Sequence, residues 1–257
     1  MNQTTTDGTI DPAWRGLCTA GGVAALVAAL VFRRNIGAEV MLLRLLGVLQ
    51  TGPTVEPVSA AGWFELLQSD PLVGLTLFGM FDLVNYALVS LIYLGLYAAL
   101  GQVHRSAMVI AAAFGLVGMG VYFASNQAFA MHTLSNLYAA ASSDLERTMA
   151  LAAGEALLAI HNAGAVFQGA GVTLALFLVT VAGLIIAAVM LRSDVFGKAT
   201  AIIGILAHGA MLVYLVTWTL PPAIRAIPPS LSGLFLFIWY LLIGIKLLKL
   251  GSKASKA

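Results

Sequence analysis

Residues 72–100 read LVGLTLFGMFDLVNYALVSLIYLGLYAAL, an apolar stretch with one charged residue, Asp82. A membrane-spanning helix needs roughly 20 predominantly apolar residues, and this stretch exceeds that length. Asp70 and Pro71 precede it in the order typical of a helix start, because the carboxylate accepts from unpaired amides and proline fits the first turn. We therefore predict a transmembrane helix over residues 72–100.

The composition of the whole chain is also that of a membrane protein. Of its 257 residues, 60% are hydrophobic and 9% are charged, whereas about a quarter are charged in a typical soluble domain. The charged residues cluster between long apolar stretches, which predicts one all-α membrane domain over residues 1–257, a polytopic bundle of six transmembrane helices. The predicted spans are residues 16–32, 72–100, 107–131, 163–191, 199–220 and 230–250.

The segment between the first and second spans predicts helices at the membrane surface. Residues 35–50 are apolar but contain Glu39 and Arg44, and a charge at mid-bilayer costs about 2.5 kcal/mol or more. Residues 51–70 combine prolines, acids and Trp63, which suits an interfacial loop with one short amphipathic helix. We expect both segments to lie on the membrane.

The segment after the third span also predicts an interfacial helix. Ser143-Asp144-Leu145-Glu146 matches a capping box, so a helix is expected to begin near Ser143 and continue into the fourth span. An unbroken helix of that length would be about 70 Å long, far more than the hydrocarbon core of about 30 Å. We expect a break at 162–164. Further on, proline pairs at 221–222 and 228–229 predict a non-helical loop between the last two spans.

Basic residues beside the predicted spans indicate an orientation, because they accumulate on the cytoplasmic side of membrane proteins. The residues that share one side are Arg15, Arg105, Arg192, Lys198, Lys249, Lys253 and Lys256. The opposite side has five arginines but also most of the acids. We therefore predict that both termini are cytoplasmic.

Polar side chains within the spans are the first functional candidates, since they are costly in lipid and tend to face the bundle interior. The candidate set comprises Asp82, Asn85, Tyr86, Asn126, His161, Gln168 and His208. Asp82 lies on a polar stripe at helical spacing, about 15 Å below the expected start of its helix, and His208 lies midway along the fifth span. The two could pair, either as a proton- or cation-handling site or as a hydrogen bond that only packs two helices.

A second polar set flanks the third and fourth spans on the outer side and could rim a pocket there. Its members include His132, Glu155 and His161, residue types that bind zinc. Glu155 and His161 are six residues apart, which places them on different helix faces, and the chain has no HExxH or HxxxH motif. We expect no metal ion and no other cofactor.

Short segments in the second half of the chain resemble an uncharacterised prokaryotic family of about six membrane helices, known as domain of unknown function 4386. The segments are Phe123-Ala124-Ser125-Asn126, Leu137-Tyr138-Ala139-Ala140, residues 189–193, Phe196-Gly197-Lys198-Ala199, Gly204-Ile205-Leu206 and residues 238–247. The resemblance covers residues 123–251. It implies a protein of the plasma (inner) membrane and supplies no catalytic residue.

Three functions remain open at this point. The leading one is a non-enzymatic membrane component that binds a lipid, a small molecule or a protein partner, because no reaction motif such as GxSxG is present. The second is a small proton-coupled transporter that uses Asp82 and His208, against which stands the lack of an internal repeat and of a Pro- or Gly-interrupted pair of helices in the sequence. The third is a membrane-embedded metal-dependent hydrolase. A net charge of +2 is too small to favour nucleic acid.

Overall fold

The computed structural model describes residues 12–31, 57–162, 168–217 and 220–252, which form helices, turns and bends with no strand among them. The all-α prediction is therefore confirmed for these residues. After a 3-10 turn at Pro12–Trp14, the helices are α1 (Arg15–Val31), α2 (Ala60–Ser69), α3 (Pro71–Leu77), α4 (Met80–Leu100), α5 (Arg105–Ser125), α6 (Ala128–Ala140), α7 (Asp144–Ile160), α8 (Ala170–Met190), α9 (Lys198–Val216), α10 (Pro222–Arg225) and α11 (Ile227–Ser252).

Several of these helices have the length and composition of membrane spans. In the described part of the chain five helical segments qualify, namely α4, the α5–α6 segment, α8, α9 and α11. The chain is thus a multi-pass membrane protein. Helix α1 is apolar but only 17 residues long, so the sixth span stays a prediction. The interfacial helix predicted over residues 35–50 lies outside the described residues.

The second predicted span is interrupted near its start. Asp70 accepts a hydrogen bond from the amide of Val73 at 3.1 Å, with Pro71 in the first turn, so the predicted helix start is confirmed. However, α3 ends at Leu77, and Gly79 adopts a φ of +101° before α4 begins at Met80. Asp82 therefore lies in the first turn of α4. The prediction that it lies about 15 Å below a helix start is wrong.

The third and fourth predicted spans also have interruptions. Helix α5 ends at Ser125, and two residues separate it from α6, whereas the sequence predicted one helix over residues 107–131. Helix α7 ends at Ile160 and α8 begins at Ala170, so the predicted break at 162–164 falls between two helices. Residues 163–167 lie outside the described residues.

The predicted capping box is confirmed, with one difference. Ser143 Oγ accepts from the amide of Glu146 at 3.3 Å, but the Glu146 carboxylate accepts from the amide of Ser142 at 2.7 Å instead of that of Ser143. The prediction of a non-helical loop between the proline pairs is wrong for most of that segment, because α10 covers Pro222–Arg225 and Pro228 and Pro229 lie in the first turn of α11. Proline is tolerated there since amides of the first turn have no partner inside the helix.

Contacts divide the chain into two compact units. The first unit comprises Met1–Arg33, Asn85–Met119 and Phe177–Ala257, and the second comprises Arg34–Val84 and Gly120–Leu176. In the first unit glycines bring helices into close contact. A Cβ added to Gly21 would lie 2.9 Å from the carbonyl oxygen of Leu91, and one added to Gly22 would lie 2.9 Å from the amide of Leu248. Backbones approach this closely only where side chains are absent.

In the second unit, the short helices pack around aromatic and aliphatic side chains. Trp63 and Phe64 of α2 are buried, as are Met131 of α6 and Leu157 of α7. The ring of Trp63 meets that of Phe78 edge-on, with centroids 4.7 Å apart. Among these helices, α2 and α7 are the ones predicted to be interfacial, and their side chains share one core. Their depth in a membrane stays a prediction.

Candidate functional site

Helix interruptions in the second unit meet at a group of polar residues, Gly79, Asp82, Tyr122, Asn126 and His161, which we call the polar junction. Asn126 follows the last residue of α5, and its Nδ2 donates to the carbonyl oxygen of Gly79 at 3.0 Å. Its Oδ1 accepts from the amide of Ala128 at the start of α6 at 3.0 Å. One amide side chain thus bonds to the backbone at two helix interruptions. It is a second donor to the Gly79 carbonyl, which also accepts from the amide of Asp82 at 3.2 Å, and it satisfies a first-turn amide of α6.

Asp82 is held against the same interruptions. The side chain is buried, and its Oδ2 accepts from the hydroxyl of Tyr122 at 2.9 Å. A Cβ on Gly79 would lie 3.4 Å from that oxygen and 3.3 Å from Asn126 Nδ2. Gly79 therefore meets two requirements at once, a positive φ and space for the polar side chains around it.

His161 lies at the end of α7, where the chain leaves the helix. Its ring is 4% exposed and stacks in a tilted orientation on Phe78, with centroids 5.5 Å apart. Neither ring nitrogen has a hydrogen-bond partner in the described part of the chain. Burial lowers the pKa of His161, whereas the Asp82 carboxylate and the neighbouring backbone of Phe78 oppose this shift, although neither ring nitrogen reaches hydrogen-bond geometry with that backbone. A neutral imidazole offers one donor and one acceptor, so this ring retains capacity for both.

Close packing near the junction depends on two more glycines. Gly169 has a φ of +112° just before α8 begins, and a side chain there would overlap the carbonyl oxygen of Ile160. A Cβ on Gly171 would overlap the hydroxyl of Ser125. The end of α5 and the start of α8 are therefore in direct contact. Of the two glycines with positive φ in the described part of the chain, Gly79 interrupts the second predicted span, whereas Gly169 lies just before the first residue of α8.

His208 is enclosed by packing in the first unit. Its Nδ1 donates to the carbonyl oxygen of Gly204 at 2.8 Å, and its Nε2 lies 3.5 Å from the hydroxyl of Tyr93. The ring of Trp239 meets the imidazole edge-on at 5.1 Å, and Gly183 lies directly against Nε2. These contacts of His208 all lie within its own unit.

The sequence-predicted residues are thus distributed between the two units. Asp82, Asn126 and His161 belong to the polar junction, while Asn85, Tyr86 and His208 belong to the first unit. Gln168 is half-buried just before α8. The pairing of Asp82 with His208 stays a prediction. Its support from similar positions along their two helices no longer holds, because Asp82 is in the first turn of α4.

Tyr122 is the residue that sequence reasoning missed. It donates to Asp82, and its hydroxyl lies 3.3 Å from Asn126 Nδ2. A signal was present in the sequence, since Tyr122 and Asn126 are four residues apart and so share a helix face.

Two of the three candidate zinc ligands, Glu155 and His132, have other partners. Glu155 Oε1 accepts from the amide of Ala60 at the start of α2 at 2.8 Å, and His132 Nε2 lies 3.3 Å from Asn136 Nδ2. Among the described residues, no group of three or more His, Cys, Asp or Glu side chains is placed to hold a metal ion. Glu155 instead satisfies an amide at a helix start.

Comparisons of this chain with known proteins found no relative. No family model matches the chain, and neither the curated proteins nor the solved structures gave a match.

Proposed function

We propose that this chain is a non-enzymatic membrane component that binds a small polar solute at the polar junction. The observation that carries the proposal is the pair of unpartnered ring nitrogens of buried His161 beside the Asp82 carboxyl group. Buried polar atoms are normally hydrogen-bonded, so such atoms call for a partner from outside the described chain. A bound solute provides one.

The groups at the junction indicate the chemistry of the solute. Asn126 already bonds to Gly79, Tyr122 and Ala128, so its role is to hold the junction together. Asp82 accepts hydrogen bonds, and neutral His161 both donates and accepts. These groups suit a solute with an amine or hydroxyl donor for Asp82 and a second polar group for His161.

The test is ligand-induced thermal stabilisation of the purified full-length protein in detergent. A panel of small amines, polyols and amino acids would be screened, because a ligand that binds only the folded state raises its stability by RT ln(1 + [L]/Kd). We expect Asp82→Asn and His161→Gln to lose the shift that the wild type shows. Asp194→Asn, which changes an exposed carboxylate of the first unit, is the matched control.

Two results would contradict this proposal. A stabilising solute that acts equally on the wild type, Asp82→Asn and His161→Gln would place its site elsewhere. A catalytic turnover that both variants abolish would show that the protein is an enzyme.

A small proton-coupled transporter is the second candidate. Transporters often bind substrates where membrane helices are discontinuous. Gly79 interrupts the helical segment three residues before Asp82. In this candidate Asp82 and His161 accept and release the transported proton at the polar junction. His208 remains a candidate proton-handling residue, as the sequence suggested. Solute flux into proteoliposomes that is indifferent to pH and to Asp82→Asn would reject it.

The other functions and properties predicted from the sequence are supported to different degrees. The absence of a three-ligand metal group among the described residues gives the metal-dependent hydrolase the least support. Membership in the family of domain of unknown function 4386 rests on the quoted segments alone. Cytoplasmic termini and the plasma membrane are inferred from the basic residues beside the spans and from that resemblance.

A further inference from the structure

A groove of about 200 Å³ lies in the first unit, where the start of α9 faces the second half of α11. Phe196, Leu242 and Ile245 form its apolar wall, and Thr200, Lys246 and Lys249 contribute polar groups. No acidic side chain is among the described residues that line it. The groove therefore combines positive charge with an apolar surface.

The start of α9 adds hydrogen-bond donors to this groove. Gly197 is the N-cap residue and offers no side chain to satisfy the first amides of the helix. The first backbone bond runs from the amide of Ala201 to the carbonyl oxygen of Gly197, at 3.3 Å. The three preceding amides thus have no partner inside the helix. The start of a 19-residue helix also carries partial positive charge, which favours an anion.

Thr200 provides an independent sign of a ligand. It is only 9% exposed, and it lines the groove. Its hydroxyl makes no hydrogen bond to another residue in the described part of the chain. Opposite it, Lys246 is half-buried and Lys249 is exposed, three residues apart and so on one face of α11.

We propose that this groove binds the phosphate group of an anionic phospholipid. Two lysines, a threonine hydroxyl and free helix amides form the donor set that a phosphate oxygen needs. A lipid is favoured as the source because α9 and α11 both have membrane-spanning length, and the groove lies where α9 begins and α11 ends. Leu242 and Ile245 are 37% and 48% exposed beside the lysines, which suits contact with an acyl chain. Basic pockets between membrane helices bind lipid headgroups in this way.

The experiment measures lipid retention by native mass spectrometry of the full-length protein. The protein would be purified in detergent and given equal amounts of phosphatidylglycerol and phosphatidylcholine. We expect the wild type to retain several-fold more phosphatidylglycerol. The double variant K246Q/K249Q should lose this preference, and Thr200→Val should weaken it several-fold, since it removes one hydrogen bond to a charged phosphate oxygen. Arg105→Gln removes a basic residue at another helix start and serves as the matched control.

Each outcome bears on the proposal. Loss of the preference in K246Q/K249Q but not in Arg105→Gln supports it. Equal retention of both lipids by the wild type, or an unchanged preference in the double variant, would overturn it. Displacement of bound phosphatidylglycerol by millimolar inorganic phosphate as readily as by the lipid would overturn the lipid as the source and leave a site for free phosphate. Because the groove and the polar junction share no residue, either proposal can fail without the other.

Discussion

The two buried histidines show how differently the two units hold a polar side chain. In the first unit His208 bonds to a backbone carbonyl one turn earlier and is enclosed by Trp239, Tyr93 and Gly183. In the second unit His161 is equally buried, at 4% exposure, yet its ring nitrogens have no partner in the described chain. Burial alone therefore does not distinguish a packing role from a binding role.

The physical difference is the continuity of the helices. A continuous helix satisfies its own backbone amides and carbonyls, so its polar side chains are not required to do so. A buried side chain such as His208 is then accommodated by one hydrogen bond to a backbone carbonyl and by tight packing. An interrupted helix leaves backbone groups that side chains must satisfy, as Asn126 does for the amide of Ala128 at the start of α6. Polar residues gather at these helix interruptions, which is where we propose that a solute binds.

The largest expected effect comes from filling the space beside His208. In Gly183→Ala the new methyl group would overlap the imidazole, which Trp239 and Gly204 prevent from moving. We expect a loss of about 3 kcal/mol of unfolding free energy, at the upper end of the usual cost of overpacking. Thermal unfolding followed by tryptophan fluorescence measures it.

The control for this prediction is Gly209→Ala, on the same helix as His208, where an added Cβ meets nothing within 4 Å. The double variant G183A/H208A should recover part of the lost stability, since the overlapping ring is removed. Equal stability of Gly183→Ala and Gly209→Ala would refute the enclosed position of His208.

A smaller effect is expected at the polar junction itself. Gly79→Ala forces a side chain into a φ of +101° and crowds Asn126 and Asp82. The cost should be about 2 kcal/mol, within the range for a strained backbone conformation, and any solute-induced stabilisation should weaken as well. Thermal unfolding with and without solute checks both effects. Gly120→Ala, in a helix and with nothing within 4 Å of the added Cβ, is the control, and a wild-type-like Gly79→Ala would argue against the interruption.

The smallest expected effect is a pH dependence that His161 creates. Because burial lowers its pKa in the folded protein, the unfolded chain binds more protons in the range below its ordinary value of about 6.5. Its contribution to stability is therefore present above that pH and is lost as the pH falls. We expect the melting temperature of the wild type to drop more between about pH 7.5 and pH 5.5 than that of His161→Asn.

Thr133→Ser, which changes an exposed side chain of the same unit that has no titratable group, should keep the wild-type slope. Identical slopes for the wild type and His161→Asn would show that the imidazole is not desolvated.

Local signals in the sequence predicted several features correctly. Asp70 with Pro71 gave a helix start, and Ser143 with Glu146 gave another, because capping depends on residues within one turn. The interruption at Gly79 was missed, since an isolated glycine in an apolar stretch is compatible with a continuous membrane helix. Pro228 and Pro229 predicted a loop, although a first helical turn accommodates them equally well.

The sequence by itself determined that this is a helical membrane protein, because runs of apolar residues with few charges are stable only as helices in lipid. It also determined which polar residues were worth examining, Asp82 and His161 among them. Only the tertiary structure decided which of them meet. Asn126 and Gly79 are 47 residues apart in the chain, and their hydrogen bond depends on where two helices break and how they pack. That geometry comes from long-range contacts, which local sequence patterns do not encode.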